Sequence, residues 1–245
     1  MRQLPEEEAA PTRTPLLLLG LGALLLLAAA AWGVRQLTAP DTLPIREIKV
    51  AGQFRQLRPE PIRTLVQQAI DGGFFSVDVA AIRRRLLREP WVKQAAIQRI
   101  WPAGLQVTIV EQDALARWGA DSLLNGEGVV FRPAVLAGDG LPQVQLAGPP
   151  GSEADVLAMY RALSRLLVPA GLKVASLELS ERGSWTATTG DGKRVVLGRR
   201  EVESRLGRLV AALHGSFGSD WPTITTIDLR YANGFAVHRQ MTTHK

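Results

Sequence analysis

An uncharged apolar run near the N-terminus constrains this 245-residue chain more than any other feature. Residues 16–34 read LLLLGLGALLLLAAAAWGV, 19 residues without a charge. As a helix that rises 1.5 Å per residue, the run is roughly 28 Å long, close to the thickness of the bilayer core. It therefore predicts a single transmembrane helix at 16–34, with Trp32 at the membrane interface. No second run of this length follows, so the rest is predicted to form a water-soluble body on one side of the membrane.

A cleaved signal peptide is the competing interpretation of the same run, because Ala28 to Ala31 offer an Ala-x-Ala pattern. Two observations favour an uncleaved anchor. The run is longer than the apolar region of a signal peptide, and the preceding arm at 1–15 has net charge −1 instead of a positive region. Positive charges are spread too evenly on the two sides of the run to decide its orientation.

Composition excludes several classes of protein. The chain has no cysteine, which excludes disulfide scaffolds, thiolate metal sites and cysteine nucleophiles. Its hydrophobic content of 46% is too high for a disordered chain. The net charge is +6, and because the arm carries −1, the remainder carries +7. The basic excess therefore belongs to the body, where acidic partners or lipid headgroups could meet it.

The body begins, after a linker at 35–44, with a pattern typical of a small α+β domain at 45–112. Alternating apolar and charged residues predict strands. Apolar residues at helical spacing, among them Ile62 and Val66 in the first helix and Ile82 and Leu86 in the second, predict amphipathic helices. Asp78 is predicted to cap the second helix. The predicted order is a strand at 45–50, helices at 59–70 and from Asp78 to Pro90, and strands at 92–101 and 105–111.

A second mixed domain with an antiparallel-rich sheet is predicted at 113–240, followed by a tail at 241–245. Asn233-Gly234 predicts the turn of a terminal hairpin. Its last strand has little chain after it to cover it. The predicted helices are 153–167 and 201–214, and the predicted strands are 114–119, 123–124, 129–131, 174–179, 185–189, 194–197, 225–231 and 235–239.

The search for catalytic chemistry identifies no candidate. His214, His238 and His244 lack the spacing of a zinc or protease motif, and neither a P-loop nor a nucleophile elbow is present. Glu178 and Glu181 are interpreted as solvated strand-end charges rather than an acid–base pair. The residue patterns thus provide no candidate catalytic residues, and no metal site and no cofactor are predicted.

Two arginine clusters stand out, each on a predicted helix. One comprises Arg83 to Arg85 with Arg88, and the other comprises Arg199, Arg200, Arg205 and Arg208. The favoured interpretation is a solvated outer face of each helix, with contact to an acidic partner or anionic lipid second. Nucleic acid is the least favoured ligand, because neither interleaved aromatic residues nor an RNA-binding motif accompanies the arginines.

Short motifs in a consistent order from about Leu43 to Arg239 resemble a known family. They are similar to a polypeptide-transport-associated (POTRA) domain that leads into the second domain of the FtsQ family of bacterial cell-division proteins. The motifs in the first part are Val50-Ala51-Gly52, Pro90-Trp91-Val92, Trp101-Pro102 and Glu111-Gln112. Those in the second part are Leu124-Asn125, Leu141-Pro142, Val196-Leu197-Gly198-Arg199, Asp228-Leu229-Arg230-Tyr231 and Asn233-Gly234.

This resemblance implies a non-enzymatic divisome component of the inner membrane, with a cytoplasmic N-terminus and a periplasmic body at the division septum. It also implies that the POTRA domain takes part in recruitment, and that the C-terminal strands bind the FtsB–FtsL coiled-coil pair. Such a protein would link early and late division proteins. The uncovered last strand independently favours binding of a partner by strand addition.

By motif match, the partner-binding residues are expected to be Arg199, Arg230, Tyr231, Asn233, Gly234 and Phe235. Arg199 is expected to form a bidentate ion pair with a partner carboxylate. The competing interpretations are a surface charge at a helix start for Arg199 and a core aromatic for Tyr231. Two other functions stay open from the residues alone, a membrane-anchored POTRA adaptor for envelope protein export or assembly and an anchored cell-wall enzyme.

Overall fold

The computed structural model of the chain describes residues 14–38, 43–136, 140–231 and 234–240. Side chains are described for residues 21–36 of the first helix and for the later ranges apart from 216 and 217. Most of the predicted arm at 1–15, residues 39–42 of the predicted linker and the predicted tail at 241–245 lie outside these ranges.

A helix is present where the apolar run predicts one. This helix, α1 (Thr14–Thr38), exposes large apolar side chains to solvent, with Leu24 at 63% and Leu26 at 74% of their full exposure. Over the part of the chain that the structure describes, no helix is both long enough and apolar enough to cross a membrane. The helical part of the prediction is thus confirmed, and the membrane span at 16–34 is not.

The chain divides into two compact units, and the first comprises residues up to 88 together with 94–110. The predicted order of its elements is confirmed. Three strands form one sheet in the order β1-β3-β2, in which β1 and β3 are parallel. The elements are β1 (Glu47–Ala51), α2 (Pro59–Ala69), α3 (Val79–Leu86), β2 (Val92–Ile100) and β3 (Gly104–Glu111).

Helices α2 and α3 each bury the face that their periodicity predicts. Ile62 and Val66 of α2 are buried, as are Ile82 and Leu86 of α3. Full burial of such a side chain contributes about 1.5–3 kcal/mol. These four side chains therefore fix both helices in the domain core.

The start of α3 is fixed by Asp78, as the sequence predicts. Its carboxylate accepts hydrogen bonds from the backbone N–H groups of Ala80 and Ala81, at 2.8 and 2.9 Å. These bonds, above all that from Ala81, lower the pKa of Asp78 below its usual value. The carboxylate is thus ionised at neutral pH and satisfies two helix-end donors.

The second unit comprises residues 89–93 together with 111 onward. Its described strands form a nine-stranded mixed sheet in the order β12-β11-β10-β9-β8-β7-β4-β5-β6. The strands are β4 (Ala114–Trp118), β5 (Ser122–Asn125), β6 (Val130–Phe131), β7 (Gln145–Ala147), β8 (Val174–Leu179), β9 (Trp185–Thr189), β10 (Arg194–Gly198), β11 (Ile224–Asp228) and β12 (Ala236–Arg239). The helices are α4 (Glu153–Leu167) and α5 (Val202–Leu213), whose buried residues join one core with the sheet.

The second unit differs from the sequence prediction in three respects. The short strand β7 is absent from the predicted elements, although it joins β4 to β8 through parallel pairing on both sides. A 3₁₀ helix at Ser216–Thr223 precedes β11 where no element is predicted. Strand β11 also ends at Asp228 rather than Tyr231, because the Asp228 side chain accepts from the backbone N–H of Arg230 and turns the chain out of the sheet.

Candidate functional site

The last strand, β12, lies at the edge of the nine-stranded sheet. It pairs with β11 in antiparallel orientation, with Ile227 opposite Val237 and Asp228 opposite Ala236. Among the residues that the structure describes, no strand pairs with the outer side of β12. Backbone N–H and C=O groups along this side are thus in position to receive a further strand.

A groove lined by five arginines lies in the same unit. Its volume is about 720 Å³, and every charged side chain that lines it is an arginine. We call it the arginine groove. Its lining residues are Arg182, Gly183, Ser184, Gly198, Arg199, Arg200, Arg205 and Arg230.

Gly198 brings two of these arginines close together at the end of β10. Its φ of +82° is in the left-handed region, which favours glycine. A Cβ atom at this position would lie 3.0 Å from Nη1 of Arg205 and 3.0 Å from Cγ of Arg230. A larger residue would therefore push apart the two side chains that form this part of the groove.

Arg230 is held by Asp228, two residues earlier in the chain. Its Nε atom lies 2.9 and 3.0 Å from the two carboxylate oxygens of Asp228, and its Nη2 atom lies 2.6 Å from Oδ2. The side chain of Asp228 is 14% exposed and that of Arg230 is 62% exposed. The hydrogen bonds from the Arg230 side chain are the main reason why the pKa of Asp228 is lowered. The carboxylate thus orients the guanidinium and leaves most of it open to solvent.

Arg205 has an unused donor. Its Nη1 atom donates to the carbonyl of Leu197 at 3.3 Å, whereas its buried Nε atom has no hydrogen-bond partner among the described residues. Buried donors are normally paired in native structures. The exposed guanidinium groups of Arg199 and Arg200 suit the groove to a bound carboxylate.

The structure brings together two predicted site residues that are distant in sequence, Arg199 and Arg230. It also adds Arg182, Arg200 and Arg205, which the motif match does not select. Arg200 and Arg205 belong to an arginine cluster that is visible in the sequence, where solubility is the favoured interpretation. Nothing in the sequence indicates Arg182, because it reaches the groove from a turn between two other strands.

Three of the remaining predicted site residues, Tyr231, Gly234 and Phe235, lie between β11 and β12. Tyr231 is 57% exposed, so its interpretation as a core aromatic is wrong. Gly234 and Phe235 are half-buried, and Phe235 packs against the main core of the unit. Asn233 lies outside the described residues. The partner-binding role of all four residues stays a prediction.

Comparison with known proteins agrees with both units. The family model described as the FtsQ-type POTRA domain matches residues 43–112, and the model described as cell division protein FtsQ/DivIB, C-terminal, matches residues 116–230. A cell division protein FtsQ of Coxiella burnetii is 33% identical, over 84% of this chain and 84% of that protein. Another from Xanthomonas campestris is 37% identical, over 81% of this chain and 70% of that protein. A third, from Burkholderia pseudomallei, is 34% identical, over 88% of this chain and 87% of that protein.

These findings define the class of the protein, a POTRA-domain protein that carries a second α+β domain. This class rests on the strand–helix–helix–strand–strand order from β1 to β3 together with the family match. Identities of 33–37% over most of both chains narrow this class further. The chain belongs to the FtsQ family of cell division proteins. This membership favours cell division over the export-adaptor interpretation of the sequence.

Titration of Asp228 provides a test of the groove geometry. Its pKa is lower in the folded than in the unfolded protein, so its ion pair stabilises the fold above the ordinary Asp pKa of about 3.9 and is lost as the pH falls through the folded pKa. We expect Asp228→Asn to lower the melting temperature at pH 7, and this difference from wild type to shrink as the pH falls below the ordinary Asp pKa and through the folded pKa. Thermal unfolding from pH 2 to pH 7 measures it. A difference that stays constant over this range would contradict the assigned ion pair.

Proposed function

We propose that this protein is a non-enzymatic scaffold of the division machinery that binds the FtsB–FtsL pair through its C-terminal strands and so links early and late division proteins. The observation that carries the proposal is the edge position of β12. An edge strand with an open outer side binds a partner by adding one of the partner's strands to the sheet. Membership of a cell-division family supports the choice of partner.

The arginine groove adds a charge requirement to this mechanism. Asp228, which holds Arg230, lies opposite Ala236 at the start of β12. One wall of the groove is therefore beside the first residues of the edge strand. A partner chain that continues past this end of its added strand would pass the groove, where a carboxylate would pair with Arg199 and Arg230. Bidentate pairing between guanidinium and carboxylate groups would then fix the register of the added strand.

Tyr231 supplies an aromatic contact between the groove and the edge strand. It follows Arg230 directly and is largely exposed. Exposed tyrosines are frequent hot spots of protein interfaces because they bury a large area at little entropic cost. The proposed partner-binding region thus comprises Arg199, Arg230, Tyr231, Asn233, Gly234 and Phe235.

We further propose an inner-membrane location at the division septum, with residues 16–34 as a single membrane anchor, a cytoplasmic arm and a periplasmic body. Support comes from the 19 uncharged residues of this run and from the exposure of its leucines. The proposed POTRA domain at 45–112 would serve recruitment, and the proposed second domain at 113–240 would bind the partner pair. Alkaline extraction of membranes tests the anchor. The full chain should stay in the membrane pellet, and release into the supernatant would contradict the anchor.

The first binding prediction concerns the edge strand. We expect a truncation that removes residues 235–245 to abolish capture of the FtsB–FtsL pair by the full chain, because the strand that receives the partner is gone. Tyr231→Ala should weaken the affinity about 30-fold, as for the loss of an aromatic hot spot. Affinity is measured by pull-down and by titration with the purified pair.

Two controls separate this mechanism from a general loss of folding. Removal of residues 241–245 alone, and Trp101→Ala at an aromatic that is 67% exposed in the other unit, should leave binding unchanged. Circular dichroism confirms the fold of each variant. Undiminished binding by the chain that lacks residues 235–245 would rule out strand addition at β12.

The second binding prediction concerns the groove. Arg199→Glu should weaken binding about 10- to 100-fold, because a charge-assisted hydrogen bond is lost and a like charge faces the partner carboxylate. Arg208→Glu is the matched control, since Arg208 is an exposed arginine of α5 that does not line the groove. Equal losses for the two variants would show that only net charge matters and would contradict a groove-specific contact.

A further inference from the structure

The first unit has an open edge of its own, along β1. This strand pairs with β3 on one side, and within the described residues no strand pairs with its other side. A groove of about 680 Å³ follows that outer side. It is lined by residues 45–50 and by Arg63, Gln67 and Ile70 from the side of α2. The outer side of β1 is thus accessible along its first four residues.

Two oppositely charged side chains, Glu47 and Lys49, lie on one face of this edge. Glu47 and Lys49 are both exposed, and the Nζ atom of Lys49 lies 3.3 Å from Oε1 of Glu47. Ile48 between them is half-buried, as is Val50. Because side chains alternate between the two faces of a strand, the two charges share one face and the two apolar side chains share the other.

This pattern is complementary to a second copy of itself in one antiparallel register. Only every second residue of β1 directs its backbone N–H and C=O groups to the outer side. When two β1 edges pair, these residues must lie opposite each other, so an odd-numbered residue always lies opposite an odd-numbered one. If the two-fold axis passes through Ile48, each Glu47 lies opposite Lys49 of the other copy. The two strands then share two Glu47–Lys49 pairs, and opposite charges directly across from each other stabilise strand pairing.

Neighbouring registers lack this complementarity. A shift that places the axis at Glu47 sets two glutamates opposite each other, and an axis at Lys49 sets two lysines opposite each other. Like charges directly opposite destabilise strand pairing. Glu47 and Lys49 therefore favour the register centred on Ile48 over these two neighbours, and in it the two copies of Ile48 also meet on one face.

We propose that two copies of this chain associate through their β1 edges, antiparallel and centred on Ile48, and join two three-stranded sheets into one of six strands. The partner of this surface is a second copy of the chain, because Glu47 and Lys49 complement the same two residues of that copy. In the pair each Glu47 carboxylate contacts a lysine of its own chain and a lysine of the other. The proposal is independent of the partner-binding site at β12 and does not rest on it.

Charge reversal tests the pairing in the full chain, with self-association measured by sedimentation velocity in detergent. Glu47→Lys alone and Lys49→Glu alone should each weaken self-association at least about tenfold, because each places like charges opposite each other. An equimolar mixture of these two single variants should associate again, as should the double variant Glu47→Lys/Lys49→Glu. Asp121→Lys, which reverses one charge of an exposed ion pair in the other unit, should have no effect.

Cysteine cross-linking tests the register, since the chain has no cysteine of its own. Ile48→Cys should form a cross-linked dimer with a short bifunctional reagent, because the two side chains meet at the axis. Ala51→Cys should not, because its two copies would be roughly 20 Å apart at about 3.3 Å per residue.

Several results would overturn the proposal. A wild-type chain that stays monomeric up to about 100 μM would exclude the pairing, as would single charge variants that associate like wild type. A double variant that keeps its fold but does not regain association would exclude the register. Cross-linking of Ala51→Cys in preference to Ile48→Cys would indicate a different arrangement of the two strands.

Discussion

The parallel pairing of β10 with β11 is the interaction on which the candidate site depends. Arg194 lies opposite Thr226 and Val196 lies opposite Asp228, so the two strands end at the same side of the sheet. The residues that follow them are therefore neighbours, although about 30 positions separate them. This is why Arg199, after β10, and Arg230, after β11, line one groove. An antiparallel pair would have placed them at opposite ends of the sheet.

Helix α5 makes this pairing feasible, because parallel neighbours need a crossover connection between them. Its buried residues, Leu206 and Leu209 among them, belong to the core of the second unit. The helix also carries Arg205 into the groove. The core and the groove thus use different faces of the same helix, the apolar face for the core and the polar face for the groove.

Electrostatics explains why the arginine groove is suited to a ligand. Five guanidinium groups line one concavity, and like charges at such a site repel each other. Asp228 offsets the charge of Arg230, and the carbonyl of Leu197 accepts a hydrogen bond from Arg205. A carboxylate from a partner would relieve the remaining repulsion, whereas a solvated helix face gives no reason for the arginines to converge.

Local features of this fold could be predicted from the sequence, and long-range ones could not. The helical spacing of Ile62 and Val66 in α2 identified the buried face, and Asp78 identified the start of α3. Strand β7 escaped prediction because three residues carry no periodicity. The candidate site likewise has one part that could be predicted from the sequence and one that could not. Family motifs pointed to Arg199 and Arg230, but their proximity and the place of Arg182 beside them depend on which strands are neighbours, which periodicity does not encode.

The most direct test of strand addition at β12 is hydrogen exchange of the full chain with and without the FtsB–FtsL pair. Backbone amides of an open edge exchange quickly, and a partner strand that bonds to them slows their exchange. The account predicts new protection concentrated in residues 234–240, with smaller changes around Arg199 and Arg230. Protection confined to residues 43–112, with unchanged exchange in β12, would contradict it.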